Sequence, residues 1–299
     1  MPIFQSTSKK TIQLKKNNFK NEKELQNYIE YNLETFFGIR LLATEYTTSK
    51  RHGGRIDSLG LDENDIPVII EYKWGEKDNI INQGLFYLDW LIDHQGDFQL
   101  LVNEKLGNNI RVYFGSPRVL LIAKSFNKYD LHAINRVSEN IELWSYSRYE
   151  QNLFELKLIA NSQANNHASS KKKNTKFAYD EYTIEYHLRE KSNLIMELFL
   201  SLQERIFVME SDQKIEETPR KLYIAYRASR IFMQVWINKS NISINFKMKK
   251  EDFSDPRQYL KNVSKGVEQR GVYCECILEQ HEDIDIVIKL IEQCYLQFA

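Results

Sequence analysis

Apolar residues fall into short periodic runs separated by polar stretches, and the period of each run assigns its element. Over 22–37, Leu25, Tyr28, Ile29, Leu33, Phe36 and Phe37 recur at three- and four-residue spacing, the repeat of one helix face. Asn21 precedes this run as an N-cap and Gly38 follows as a stop. An extended stretch is predicted over 41–47. Two apolar runs, Arg55–Leu61 and 68–74, flank Asp62-Glu63-Asn64-Asp65, a turn-forming cluster, so a β-hairpin is predicted there. A second helix is predicted over 79–94, a buried strand over Arg118–Ala123, a helix over 129–137 and a strand over 141–146. That order predicts a mixed α/β core, a sheet flanked by helices.

The apolar pattern stops at 161–176, NSQANNHASSKKKNTK, which has no aromatic or branched aliphatic residue. It reads as a polar linker between a first domain, 1–160, and a smaller α+β accessory domain, 177–299. In the second domain a helix is predicted over 188–207. Strands are predicted over 221–226, 231–237, 242–248 and 273–278, and an amphipathic helix over 283–296. Residues 238–241 read as a hairpin turn.

Composition narrows the function classes. At roughly 150 residues per domain, 299 residues suit two domains. Lys plus Arg equals Asp plus Glu at 41 each, so a strongly basic, histone-like binder is excluded while a local basic patch remains open. One such patch is the stretch 1–20, which carries Lys9, Lys10, Lys15, Lys16 and Lys20 and no acid. It reads either as a solvated tail or as a strand-and-arm element near phosphates. It has no apolar h-region, so a cleaved signal peptide is not expected. No apolar run approaches the roughly 18 residues of a membrane span, so no membrane partner is expected. Cys274, Cys276 and Cys294 form no disulfide framework and suit a reducing, cytoplasmic setting. Cys274 and Cys276 share a strand face; they read as core thiols, with a metal site as the alternative. Tyr223, Tyr226, Phe232 and Trp236 suit core packing, or base stacking on an open sheet.

The segment 53–74, GGRIDSLGLDENDIPVIIEYKW, carries the chemistry. A hairpin centred on Asn64 places Asp57 opposite Glu71, with Cβ atoms roughly 5 Å apart. Glu71 and Lys73 share a strand face. Val68, Ile69 and Ile70 lead into Glu71, and Tyr72 and Trp74 flank Lys73, so the charges lie in a buried type of strand. Buried charge is costly unless paired or bound to metal. Two close carboxylates suit Mg²⁺ or Mn²⁺, and a neighbouring ammonium suits a developing phosphorane charge. A structural Asp–Lys–Glu ion cluster is the alternative.

Asp57 followed by Glu71-Tyr72-Lys73 resembles the D…(D/E)-x-K motif of the PD-(D/E)XK nuclease superfamily. Gly54-Arg55-Ile56-Asp57 is similar to the lead-in of its RecB-like and NucS/EndoMS-like branches. Gln83 and Tyr87 form the Q-x-x-x-Y pair that RecB-like nucleases show on the next helix. The resemblance covers about the first half of the chain. It implies a restriction-endonuclease-like core and Mg²⁺- or Mn²⁺-dependent cleavage of DNA phosphodiesters, in repair, restriction or phage defence. Asp57, Glu71 and the Tyr72 carbonyl would ligate metal, with Lys73 and Gln83 completing the catalytic set. Superfamily members often add a helix carboxylate. Glu22 is preferred here, with Glu30 and Glu45 as alternatives. Arg55, Lys50, Arg51, His52 and Tyr87 are candidate contacts to nucleic acid. A catalytically inactive nuclease fold serving as a binding or scaffold protein is the second reading, and 283–296 could supply a homodimer interface.

Overall fold

The structure, a computed structural model, describes residues 2–6, 8, 10–48, 53–75, 80–162, 182–209, 215–268 and 271–298. These form two compact units, Met1–Tyr179 and Asp180–Ala299. Of the predicted linker, only Asn161 and Ser162 fall among the described residues.

Unit 1 opens with an antiparallel hairpin, β1 (Ile3–Ser6) and β2 (Thr11–Leu14). Helices α1 (Glu22–Tyr31) and α2 (Leu33–Phe37) follow. A six-stranded sheet is built from β3 (Arg40–Thr47), β4 (Arg55–Leu61), β5 (Pro67–Lys73), β6 (Arg118–Ala123), β7 (Asn140–Arg148) and β8 (Phe154–Asn161), in that spatial order. The β5–β6 and β6–β7 pairs are parallel and the others antiparallel. Helices α3 (Ile80–Asp93), α4 (Gln95–Leu106) and α5 (Lys128–Ile134) complete the unit. This is a mixed sheet with helices on both faces.

Strand alternation explains the two layers. Val68, Ile70 and Tyr72 of β5, with Leu120 and Ile122 of β6, pack on Leu25, Ile29, Leu33 and Phe37 of α1 and α2. Ile69, Val119, Leu121, Ile141 and Leu143 point the other way, into the layer of α3 and α4. β5 is therefore buried on both faces, which is why it reads as a continuous apolar run. Gly84 permits close approach of α3: a Cβ there would lie 2.8 Å from Val119 Cγ1.

Several boundaries differ from the expectations. The helix predicted over 22–37 breaks at Asn32 (φ −111°, ψ 12°), where the chain turns into α2. Asn32 itself steadies the break, its amide donating to the Tyr28 carbonyl at 2.9 Å. The sequence reading omitted α4, in which Leu100, Leu101 and Val102 run consecutively rather than at helical spacing; only Phe98 and Val102 are buried. It also omitted β8, although Phe154, Leu156 and Leu158 alternate and pack on the α1–α2 layer.

The turn end of the sheet carries a buried ion network. Arg118, 1% exposed, donates from Nε to Glu142 at 2.9 Å and from Nη1 to Asp62 at 3.2 Å. Asp62 also accepts the Asn64 and Ile66 N–H groups and so closes the β4–β5 turn.

Unit 2 comprises α6 (Ile184–Leu188), α7 (Asn193–Val208), β9 (Glu216–Pro219), β10 (Ile224–Arg227), β11 (Ile231–Ile237), β12 (Ile242–Phe246), β13 (Lys261–Asn262), α8 (Lys265–Glu268), β14 (Cys274–Leu278) and α9 (Ile284–Phe298). Its antiparallel sheet runs β13-β14-β12-β11-β10-β9. Alternate strand residues such as Val235, Ile244 and Cys276 face Leu198 and Leu202 of α7 and Ile291 of α9. The helix predicted over 188–207 divides, because Ser192 accepts the Ile195 N–H and starts α7 afresh. All three cysteines are free and buried in this core. Tyr226 and Phe232 are core residues too.

Candidate active site

The β4–β5 ladder runs from Leu61 opposite Pro67 to Ser58 opposite Ile70, a register centred on Asn64. Beyond Ser58 and Ile70 the backbone pairing ends and side chains take over. The Asp57 N–H donates to Glu71 Oε1 at 3.1 Å, and the Tyr72 N–H donates to Asp57 Oδ2 at 3.1 Å. Each carboxylate thus replaces a missing ladder partner. A strand residue points its N–H and C=O to the same side, so the Tyr72 carbonyl is directed towards this opening between the strands.

Helix α3 closes the site from one face. Gln83 donates its amide to Glu71 Oε2. Tyr87, one turn on, donates its hydroxyl to the Arg55 carbonyl at 2.8 Å and accepts the Arg55 N–H at 3.2 Å. A Cβ on Gly54 would lie 2.6 Å from the Tyr87 ring, so glycine at 54 is what lets the ring lie against β4. The Gln83–Tyr87 pair therefore fastens α3 to both strands. Tyr87 is only 6% exposed. Its ring packs against Gly54 and its hydroxyl is engaged by the Arg55 main chain.

Helix α1 closes the other side. Glu22 accepts the Trp74 N–H at 3.1 Å and stands 3.8 Å from Lys73 Nζ. Trp74 Nε1 donates to the Phe19 carbonyl at 2.6 Å, which ties the start of α1 to the end of β5. Among the three helix and strand carboxylates weighed from sequence, Glu22 is the one beside Lys73. Glu30 instead accepts from Ser58 Oγ at 2.6 Å and from the Gln26 amide at 3.0 Å. Glu45 pairs with Lys23 at 2.6 Å and with Arg55 at 3.1 Å. Lys50, Arg51 and His52 lie outside the described residues.

Electrostatics single out the carboxylate pair. Burial pushes the Glu71 carboxyl up to about 9, and repulsion from Asp57 adds to it. Asp57 is raised mainly by burial and further by the nearby Glu22 charge, with Lys73 opposing. Without a cation the pair favours retention of a proton; a divalent cation would relieve the same repulsion. Two hard carboxylates and a strand carbonyl are a donor set of the kind Mg²⁺ or Mn²⁺ takes, with water filling the other positions. Among the described residues there is no cluster of three or more His, Cys, Asp and Glu side chains poised around one metal, so protein carboxylates alone would not fill a coordination sphere.

One functional element went unseen in the sequence. Gln26 is buried on the apolar face of α1 and donates to the Asp57 carbonyl at 2.8 Å as well as to Glu30. Ser58 links Glu30 to the Tyr72 hydroxyl at 3.1 Å. This network holds β4 from behind the site. A glutamine between Leu25 and Ile29 on a buried helix face was its available signal.

An uncharacterized protein of Haemophilus influenzae (strain ATCC 51907 / DSM 11121 / KW20 / Rd) is 30% identical over 304 aligned residues, spanning 98% of this chain and 99% of that protein. The chain belongs to the family of that protein. No family model matches it. Among solved structures, a repair endonuclease from Pyrococcus abyssi is similar at 20% identity and a TM-score of 0.29, over 43% of this chain and 48% of the endonuclease. The chain thus spans about half the length of that structure. Among the described residues no helix is long and apolar enough to cross a membrane.

Proposed function

We propose that the chain is a divalent-metal-dependent deoxyribonuclease that hydrolyses DNA phosphodiester bonds. Repair, restriction and phage defence are the settings such chemistry serves. The observation that carries this reading is the interlocked Asp57–Glu71 pair at the splayed end of β4 and β5, with Lys73 on the same strand face as Glu71.

Asp57, Glu71 and the Tyr72 carbonyl would hold the metal. When bound, Mg²⁺ or Mn²⁺ would supply Lewis acidity and lower the pKa of a water. The chain's own residues do the rest. Gln83 holds Glu71 in one orientation, and Gln26 holds the Asp57 main chain. Lys73 offsets the negative charge that builds on a phosphate under attack, and Glu22 keeps the Lys73 ammonium at the mouth of the site. Arg55 is 61% exposed at the side chain and is free to exchange its Glu45 partner for a phosphate, because exposed ion pairs are worth little.

The test is cleavage of plasmid, branched and mismatched DNA with Mg²⁺, with Mn²⁺ and with chelator. The parent should cut only with metal, and Asp57→Ala and Lys73→Ala should not cut. Equal cutting by Asp57→Ala overturns the reading. A parent that binds DNA yet cuts no substrate is instead a catalytically inactive nuclease fold.

A further inference from the structure

The β1–β2 hairpin plays no part in the carboxylate site, yet its surroundings give it a specific use. Residues 1–20 hold five lysines and no acidic residue in a chain of zero net charge. Lys15, Lys16 and Lys20 are exposed and form no ion pair among the described residues. The hairpin itself is exposed along most of both strands. A lone two-stranded ribbon is marginally stable in water, and among the described residues the main-chain ties of this one to the sheet are at its base, through Lys15, Lys16 and Asn17.

That base lies at the active end of the sheet. Lys73 of β5 is level with Ala123 of β6, which is level with Ser145 of β7. The parallel strands therefore end on the same side as Glu71 and Lys73. Just past this level, Asn17 N–H donates to the Arg148 carbonyl at 2.8 Å, Lys16 bridges Tyr149, and the Glu150 N–H donates to the Lys15 carbonyl at 2.9 Å. A cleft of about 540 Å³ opens there, lined by Lys15, Lys16, Ile3 and Tyr149 among others. The chain then runs straight to the site: Phe19 is buried and its carbonyl accepts Trp74 Nε1, and Glu22 meets Lys73. Two strand spacings plus a few residues put Lys15 and Lys16 on the order of 15 Å from Lys73. At 3.4 Å per nucleotide step that is about five phosphates along one strand.

We propose that the β1–β2 hairpin and the segment through Lys20 form an arm that grips the phosphate backbone of duplex DNA flanking the scissile bond, an inference that rests on the nuclease reading above. Charge selects this occupant: Lys15, Lys16 and Lys20 have no ion-pair partner among the described residues, although the Glu150 and Glu24 carboxylates accept the Lys15 and Lys20 N–H groups, and their exposed ammonium groups match a phosphate backbone.

The experiment measures binding of a fluorescein-labelled 30-base-pair duplex by anisotropy across a salt series, in chelator so that nothing is cut. It compares the parent with K15Q/K16Q and K15Q/K16Q/K20Q. Each lost phosphate contact removes about 0.9 from the slope of log Kd against log salt. The double variant should therefore lose close to 2 and the triple close to 3, with the Mg²⁺-dependent rate at saturating DNA unchanged. Slopes equal to the parent's, in proteins that melt as the parent does, overturn the arm and leave a solvated hairpin. If the parent cuts DNA and the slopes do not move, the arm alone falls. If the parent neither binds nor cuts DNA, the nuclease reading falls and takes the arm with it.

Discussion

Replacing Glu71 with glutamine removes an ionisable group from a place that disfavours its charge. Glu71 is fully buried, and its carboxyl is pushed up to about 9 by burial and by Asp57. In the unfolded chain the same carboxyl titrates near the ordinary glutamate value. Between those two values the folded protein holds a proton that the unfolded chain has released. Stability in the absence of metal therefore falls as pH rises from about 5 to about 9, by up to roughly 1.4 kcal/mol per pH unit. At pH 7.5 the accumulated cost is on the order of 4 kcal/mol. Glutamine keeps the shape and pays no such cost, and the Gln83 amide can turn to present its oxygen to the new NH₂. Glu71→Gln should thus raise the melting temperature of unit 1 by about 10 °C at pH 7.5 in chelator. It should also abolish the downward slope of stability between pH 5 and 9. Thermal unfolding followed by tryptophan fluorescence suits the test, because three of the four tryptophans, Trp74, Trp90 and Trp144, lie in unit 1. Added Mn²⁺ should stabilise the parent and leave the variant where it is. A variant that melts below the parent at pH 7.5, or that keeps the parent's pH slope, refutes the account of a buried, mutually repelling carboxylate pair.

Three further outcomes follow from the packing. Glu142→Ala leaves the buried Arg118 guanidinium short of its partner and should cost unit 1 about 3–5 kcal/mol in urea unfolding; a loss under 1 kcal/mol would show that water or a rearranged Asp62 compensates. Gly84→Val drives a side chain into Val119 and Leu121, so it should destabilise by about 1–3 kcal/mol and weaken Mn²⁺ binding by displacing Gln83 from Glu71, as read by calorimetric titration. Burial raises the Cys274 thiol to about 12 and pushes Cys276 and Cys294 up as well, so a disulfide reagent at pH 8 should label no thiol in the native protein and three in guanidinium; prompt labelling of the folded chain would contradict the buried placement.

What the sequence determined by itself was local and periodic. The hairpin register followed from one turn cluster, because a two-residue side-chain period leaves few ways to place Val68, Ile69 and Ile70 in a core while Asp57 meets Glu71. The pairing of Gln83 and Tyr87 followed from helical spacing alone. Tertiary structure decided everything that depends on which distant segments meet. Glu22, Glu30 and Glu45 are interchangeable in composition and flank the same motif, and only the docking of α1 against the end of β5 sends Glu22 to Lys73, Glu30 to Ser58 and Glu45 to Arg55. Tyr87 reads equally well as surface or core until Gly54 admits its ring. The lysine-rich stretch before α1 reads as a tail or an arm from sequence, and only the parallel order β5-β6-β7 sets its bridge to Tyr149 just past the level of Lys73. A pattern along a chain records how much of each residue is hidden from water, whereas the partner that hides it is chosen by loop closures over tens of residues, which periodicity does not encode.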